Sequence, residues 1–153
     1  MKNDEFVTIP GNWNFNFNYF AGESASRFFR ELRENRRIMG TRTQEGGRVL
    51  VPARAFDDET MEPTDDWVAV GPEGTLETFT IITAAFPGLP EPPLVMGYVT
   101  LDGADTALIN FIHGVDLSDI NAAAKSLSKL PRVKVEFIDN PQGRITDFSF
   151  RLV

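Results

Sequence analysis

Residues 12–19, NWNFNFNY, alternate asparagine with aromatics, so Trp13, Phe15, Phe17 and Tyr19 share one face of an extended segment. Asparagine is a poor strand former, which predicts an arm lying on a surface and not a central strand. The period then changes. In GESASRFFRELRENRRI (22–38), Ala25, Phe28, Phe29 and Leu32 recur at helical spacing and put one apolar face on a helix. Ser24 or Gly22 is suited to start it, and it is expected to end near Arg37, before Gly40.

Two turn-forming corners follow, TQEGG (43–47) and AFDDET (55–60), flanking the short apolar run RVLVP (48–52). Two knuckles joined by a strand is the layout of a zinc ribbon. From residue 66 onward the β signals are clear. Residues 66–70 lead into the turn GPEG, and 75–85 form a long β-rich run. FPGLPEPP (86–93) is a proline-rich loop that excludes helix and central strand. Residues 94–101 are a strand, Asp102-Gly103 a hairpin turn, and 105–112 another strand. Residues 116–130 read as a short helix capped by Asp116 or Ser118. Residues 132–138 and 144–153 alternate again around the turn DNPQG (139–143). Five strands with a helix between the third and fourth is the order of an OB-fold barrel; other small barrels have five strands, and the inserted helix favours the OB type. The fold class is therefore mostly β with an N-terminal helix. The expected organisation is an arm and helix (1–40), a ribbon segment (41–70) and a five-stranded OB-fold domain (71–153).

Charge changes this picture in one respect. The net charge of −7 hides a partition: eight of the 15 basic residues, all arginine, lie between Arg27 and Arg54. From residue 55 to 124 there is no lysine or arginine, against 13 acidic residues. An acidic body repels nucleic acid and anionic membrane, which argues against both as partners. The arginine segment either meets a phosphate or acidic partner or pairs with the chain's own carboxylates. No apolar run is long enough to span a bilayer, and no apolar leader is evident at the N-terminus. With no cysteine in the chain, thiolate nucleophiles, disulfides and thiolate metal sites are excluded. These features fit a cytoplasmic protein.

The ordered set SRFFRELRENRRIMGTR (26–42), GRVLVPAR (47–54), DWVAVGPEGTLETFTI (66–81), FPGLPEPP (86–93), MGYVTLDGADTAL (96–108) and GVD (114–116) resembles a family of OB-fold proteins with a rubredoxin-like zinc ribbon. Its members accompany thiolases and other acyl-CoA enzymes, and it was formerly a domain of unknown function. The resemblance implies a non-catalytic accessory subunit that docks on a thiolase-like catalytic subunit and helps to shape or bind its acyl-CoA. The family's ribbon cysteines, carried onto this chain, fall on Thr43, Gly46, Asp57 and Thr60, none of them a thiolate. The expectation is a metal-free ribbon, with no zinc and no covalently bound cofactor. The residues expected to contact substrate or partner are Phe28, Phe29, Leu32, Arg33, Arg36 and Arg37 of the helix, and Phe86 and Pro87 of the proline-rich loop. The arginines would lie near CoA phosphates.

Other chemistry is sparse. His113, the only histidine, ends a strand and reads as a structural or surface residue instead of a general base. Asp57-Asp58-Glu59 and Asp65-Asp66 lack the spacing of a calcium loop and read as solvated loops. Phe79, Phe111, Phe137, Phe148 and Phe150 alternate within strands and read as barrel core in preference to a base-stacking platform. There is no GxGxxG, Walker or GxSxG motif. The remaining alternatives are a stand-alone acyl-CoA binding module, a hydratase partner and, more weakly, an OB-fold nucleic-acid binder.

Overall fold

A computed structural model describes residues 8–44 and 47–153. The first helix, α1, spans Glu23–Asn35 and starts at Gly22, whose carbonyl accepts from both the backbone N–H and the hydroxyl of Ser26. It stops two residues before the expected end. Arg36 turns left-handed (φ 49°) and the Arg37 N–H returns to the Glu31 carbonyl. The chain leaves at once into strand β1, Ile38–Arg42, which the sequence pattern did not reveal. Ile38 to Thr41 are all buried, so this strand has no apolar/polar alternation to read. A Cβ at Gly40 would stand 2.7 Å from Val49 Cγ1 and 2.9 Å from the Leu50 carbonyl oxygen, so only glycine admits the neighbouring chain there.

Strands β2 (Val49–Leu50) and β3 (Asp66–Val70) pair antiparallel with β1, giving the order β2-β1-β3. The other side of residues 49–51 is held by the barrel. The Val49 N–H donates to Asp105 Oδ2 at 2.8 Å and the Asp105 N–H donates to the Val49 carbonyl at 2.9 Å. Thr106 Oγ1 accepts from the Val51 N–H and donates to the Val51 carbonyl.

The remaining strands are β4 (Glu73–Ile82), β5 (Leu94–Leu101), β6 (Leu108–His113), β7 (Arg132–Phe137) and β8 (Phe148–Leu152). They close into a barrel ordered β4-β5-β6-β8-β7, with helix α2 (Ile120–Leu127) between β6 and β7, as the strand order predicted. The cap of α2 is Asp119, which accepts from the Asn121 and Ala122 N–H groups; Asp116 is occupied in its own turn with the Ser118 N–H. Phe148 and Phe150 are fully inside, and Phe79 and Phe137 are half-buried against the core; Phe111, expected in the core, is half-buried and lines a surface cleft instead. One hydrophobic cluster runs through all the parts, from Phe28 and Leu32 of α1 through Ile38, Val49 and Val70 to Leu76, Val99 and Val133 of the barrel. Among the described residues no helix is long and apolar enough to cross a membrane.

The β6–β8 pairing is parallel and short, two residue pairs. The loop before β8 seals that side. Asn110 donates from Nδ2 to the carbonyls of Ile145 and Phe148 and accepts from the Phe111 N–H. Asp147, buried, accepts the N–H groups of Gln142, Gly143 and Arg144 through Oδ2. These bonds make residues 145–147 a 3-10 turn, so β8 begins at Phe148 and not at residue 144.

Burial works against ionisation of Asp147, but the three backbone N–H groups outweigh it and hold its carboxyl below the usual range. A depressed folded-state pKa contributes stability that is present above the unfolded value of about 3.9 and lost as pH falls through the folded value. Asp147→Asn is expected to lower stability by about 2 kcal/mol at neutral pH and to flatten the loss below about pH 4, read by urea unfolding across pH. Phe28→Ala, at a side chain 2% exposed, is expected to cost about 3–5 kcal/mol, and half-buried Phe29→Ala clearly less, in the same assay.

Candidate interaction surface

The arm has the geometry its alternation predicts. Trp13, Phe15, Phe17 and Tyr19 stack in sequence on one side, with ring centroids 6.2, 5.8 and 6.2 Å apart. All four are exposed, as are Ile9 and Phe20. Among the described residues, no backbone hydrogen bond ties residues 8–21 to a strand. The arm thus offers a row of aromatics and a free backbone edge at once.

Next to it, α1 divides the residues that the sequence grouped together. Phe28 and Leu32 are core members, closed to any ligand. Phe29 is half-buried, edge-on to Phe28 at 5.5 Å, and its carbonyl lies against Gly143 of the barrel loop. The three arginines are exposed but engaged. Arg33 pairs with Glu34 at 2.7 Å, Arg37 pairs with Glu31 at 2.7 Å, and Arg36 donates to the Asp139 carbonyl at 2.6 Å. Hydrogen bonds from Arg37 and Asn35 lower the Glu31 pKa. Arg27 lies over the Trp67 ring at 4.2 Å, a cation–π contact that joins α1 to β3. Sequence reasoning did not single out Trp67, because its partner depends on how the helix docks.

Phe86 and Pro87 are exposed on the loop between β4 and β5. They are not among the residues lining a neighbouring cleft of about 360 Å³, whose walls include Leu89, Pro90, Phe111, Ile138 and Phe148, with His113 also lining it. The cleft lies between the β4–β5 loop and the loop before β8, where OB barrels bind ligands. Its residues come from four separate parts of the chain, so no local motif announced it. His113 is exposed and, among the described residues, makes no side-chain hydrogen bond that would orient it as a general base.

The segments expected as ribbon knuckles hold a different chemistry from the one the resemblance implies. Thr43 is buried; its N–H donates to the Arg48 carbonyl at 2.8 Å and its Oγ1 accepts from the Arg48 N–H at 3.0 Å. Asp57 is buried, and Thr60 uses its hydroxyl to accept from the Glu62 N–H. Gly46 lies outside the described residues. Two hydroxyls and one carboxylate, all engaged in hydrogen bonds, do not fit a tetrahedral zinc ion. Among the described residues, no three histidine, cysteine, aspartate or glutamate side chains are grouped to hold a metal. The expectation that Asp57-Asp58-Glu59 is a solvated run needs correcting at Asp57, which is 2% exposed and paired with Arg48 at 2.9 Å. Asp58 and Glu59 are exposed, as expected.

Residues 67–125 match the family described as ChsH2, C-terminal OB-fold domain. None of the curated proteins matches the sequence. Among solved structures, a DUF35-family protein of unknown function from Sulfolobus solfataricus is similar with a TM-score of 0.62 at 18% identity, over 86% of this chain and 87% of that one. A chain described as Ltp2-ChsH2(DUF35) aldolase is similar with a TM-score of 0.60 at 16% identity, over 88% of this chain and 98% of that one. These likenesses extend well beyond the 67–125 segment and reach most of the fold. The OB-fold part of the resemblance read from the sequence is supported: residues 67–125 match the ChsH2 C-terminal OB-fold domain, and most of the chain has the fold of two solved DUF35 structures.

Proposed function

We propose that this chain is a non-catalytic accessory subunit of a thiolase-type acyl-CoA enzyme, docking on the catalytic subunit and helping to shape or bind its substrate. The observation that carries the reading is the arm. Four aromatic side chains between 64% and 86% exposed stand in one row, left uncovered by the described residues. A row of that kind marks a protein-contact surface, since aromatic anchors dominate interface energetics. The structural neighbour described as Ltp2-ChsH2(DUF35) aldolase names two components, which supports a partner subunit here as well. The partner supplies the nucleophile and the acid and base groups, because this chain has no cysteine and one histidine.

In this reading the three segments divide the work. Residues 1–40 dock, 41–70 form a metal-free ribbon that braces the docking face, and 71–153 form the barrel that carries the substrate-facing loops. Phe29 and Arg33 on α1, with Arg36 and Arg37 just past its end, face the partner or substrate, while Phe28 and Leu32 support them from within the core. Phe86 and Pro87 extend the contact on the proline-rich loop, where stiffness lowers the entropy lost on binding.

The cleft beside that loop favours a second reading, a stand-alone acyl-CoA binding module or a hydratase partner. A mostly apolar space of about 360 Å³ lies within the usual range for small-ligand sites. An OB-fold nucleic-acid binder gains no support: the cleft between His113 and Ile138 is lined by two carboxylates, Glu136 and Asp139, against one arginine, Arg151.

The tagged full chain, purified from its host lysate, is expected to bring down a thiolase-type catalytic subunit in stoichiometric amount. Replacing Trp13, Phe15, Phe17 and Tyr19 by alanine should reduce recovery at least about tenfold with the barrel still folded by circular dichroism. A clean monomer from the wild-type chain would overturn the accessory-subunit reading. Calorimetry of the isolated chain with an acyl-CoA separates the two readings: micromolar binding, lost in Phe111→Ala, would favour the stand-alone module.

A further inference from the structure

We propose that the Arg48 guanidinium takes the place of zinc in this ribbon, as a cation tethered to the first knuckle that crosslinks it to the second. In a zinc ribbon the metal does two things: it fixes the distance between knuckles and it neutralises the anionic ligands. Arg48 does both here. Its backbone is locked to the first knuckle by the two hydrogen bonds with Thr43. Its side chain crosses to the second knuckle, where Nη2 lies 2.9 Å from Asp57 Oδ1 and 3.0 Å from Asp58 Oδ1, and Nη1 lies 2.8 Å from Glu59 Oε1.

The anchor on the far side is Asp57, which stands at one of the positions the family pattern gives to cysteine. Its side chain is 3% exposed, whereas that of Arg48 is 31% exposed. A carboxylate so enclosed requires a partner charge. The second knuckle is also folded around it. Asp57 Oδ1 accepts the Glu59 N–H, the Asp57 carbonyl accepts the Met61 N–H, and the Asp57 N–H donates to the Glu62 carbonyl. Arg54 adds a second tie, to Asp58 at 3.1 Å. A planar guanidinium with several fixed donors suits three carboxylates arriving from different directions; the ammonium of lysine, a point charge, does not.

This inference concerns the ribbon's integrity and holds whatever the partner or ligand. It implies a ribbon indifferent to chelators and to thiol oxidation, and sensitive instead to ionic strength, because the guanidinium is partly open to solvent.

The test uses the full chain. Metal analysis is expected to find no stoichiometric zinc, and EDTA is expected to leave the unfolding midpoint unchanged. Hydrogen exchange then reads the knuckle itself. Arg48→Met should speed exchange of the Glu59 and Met61 amides at least about tenfold while β5 and β6 amides keep their rates. Arg48→Lys should recover only part of that protection. The pair Arg48→Met with Asp57→Asn should exchange more slowly than Arg48→Met alone, since no unpaired buried charge is left. Should Arg48→Met fail to fold, the wild-type chain still decides: raising salt from roughly 0.05 to 1 M should speed exchange at those two amides and not in the barrel. One equivalent of zinc, a midpoint lowered by EDTA, or knuckle exchange unmoved by both the substitution and salt would overturn the proposal.

Discussion

Residues 49–51 are bonded on both sides, and the rest of the structure depends on that. On one side β2 pairs with β1; on the other, Asp105 and Thr106 of the β5–β6 connection satisfy the backbone of Val49 and Val51. A two-residue strand has almost no stability alone, and three short strands enclose little core. The seam covers the β2 edge of the small sheet, and Val49 and Val51 join the cluster that contains the barrel's Leu76 and Val99. Helix α1 closes the same cluster with Phe28 and Leu32. Helix, three-stranded sheet and barrel therefore share one core, and the arm joins it at the start of α1.

Charge is organised locally within that frame. The arginine-rich stretch that looks in the sequence like a phosphate-seeking surface largely meets the chain's own carboxylates. Arg33 and Arg37 pair with Glu34 and Glu31 of α1, Arg42 pairs with Asp66, and Arg48 and Arg54 pair with the acidic knuckle. The barrel repeats the device with Arg132 on Asp102 and Arg151 on Glu136, and these hydrogen bonds lower the pKa values of both carboxylates. The exposed pairs among these contribute little to stability, unlike Arg48 on the enclosed Asp57. Their consequence is to leave the aromatics of the arm and the apolar cleft as the surfaces still short of a partner.

The parts of the candidate site were legible to different degrees. The arm's aromatic face followed from strict alternation over eight residues, since an extended chain places every second side chain on one side whatever surrounds it. Phe28, Phe29 and Leu32 were legible as one helical face but not as two environments. A helix face is wider than the buried stripe, and only the docking of α1 against β1 and the loop before β8 sends Phe28 inward and leaves Phe29 at the margin. Arg48 and Trp67 carried no signal, because their partners, Asp57 and Arg27, are set by loop closure and helix docking.

The sequence by itself determined the barrel, the helix and the arm, because period-two and period-3.6 patterns between proline and glycine breaks depend on local geometry alone. It also excluded a thiolate metal site, a matter of composition. Only the tertiary structure decided that residues 38–42 form a strand, since burial on both faces erases the alternation that marks one. It alone decided that Asp57, in a run of three acids, is the buried one, and that an arginine nine residues earlier meets it. Those choices rest on contacts between segments that no local pattern encodes, where burial of a charge is tolerated only because its partner arrives from elsewhere in the fold.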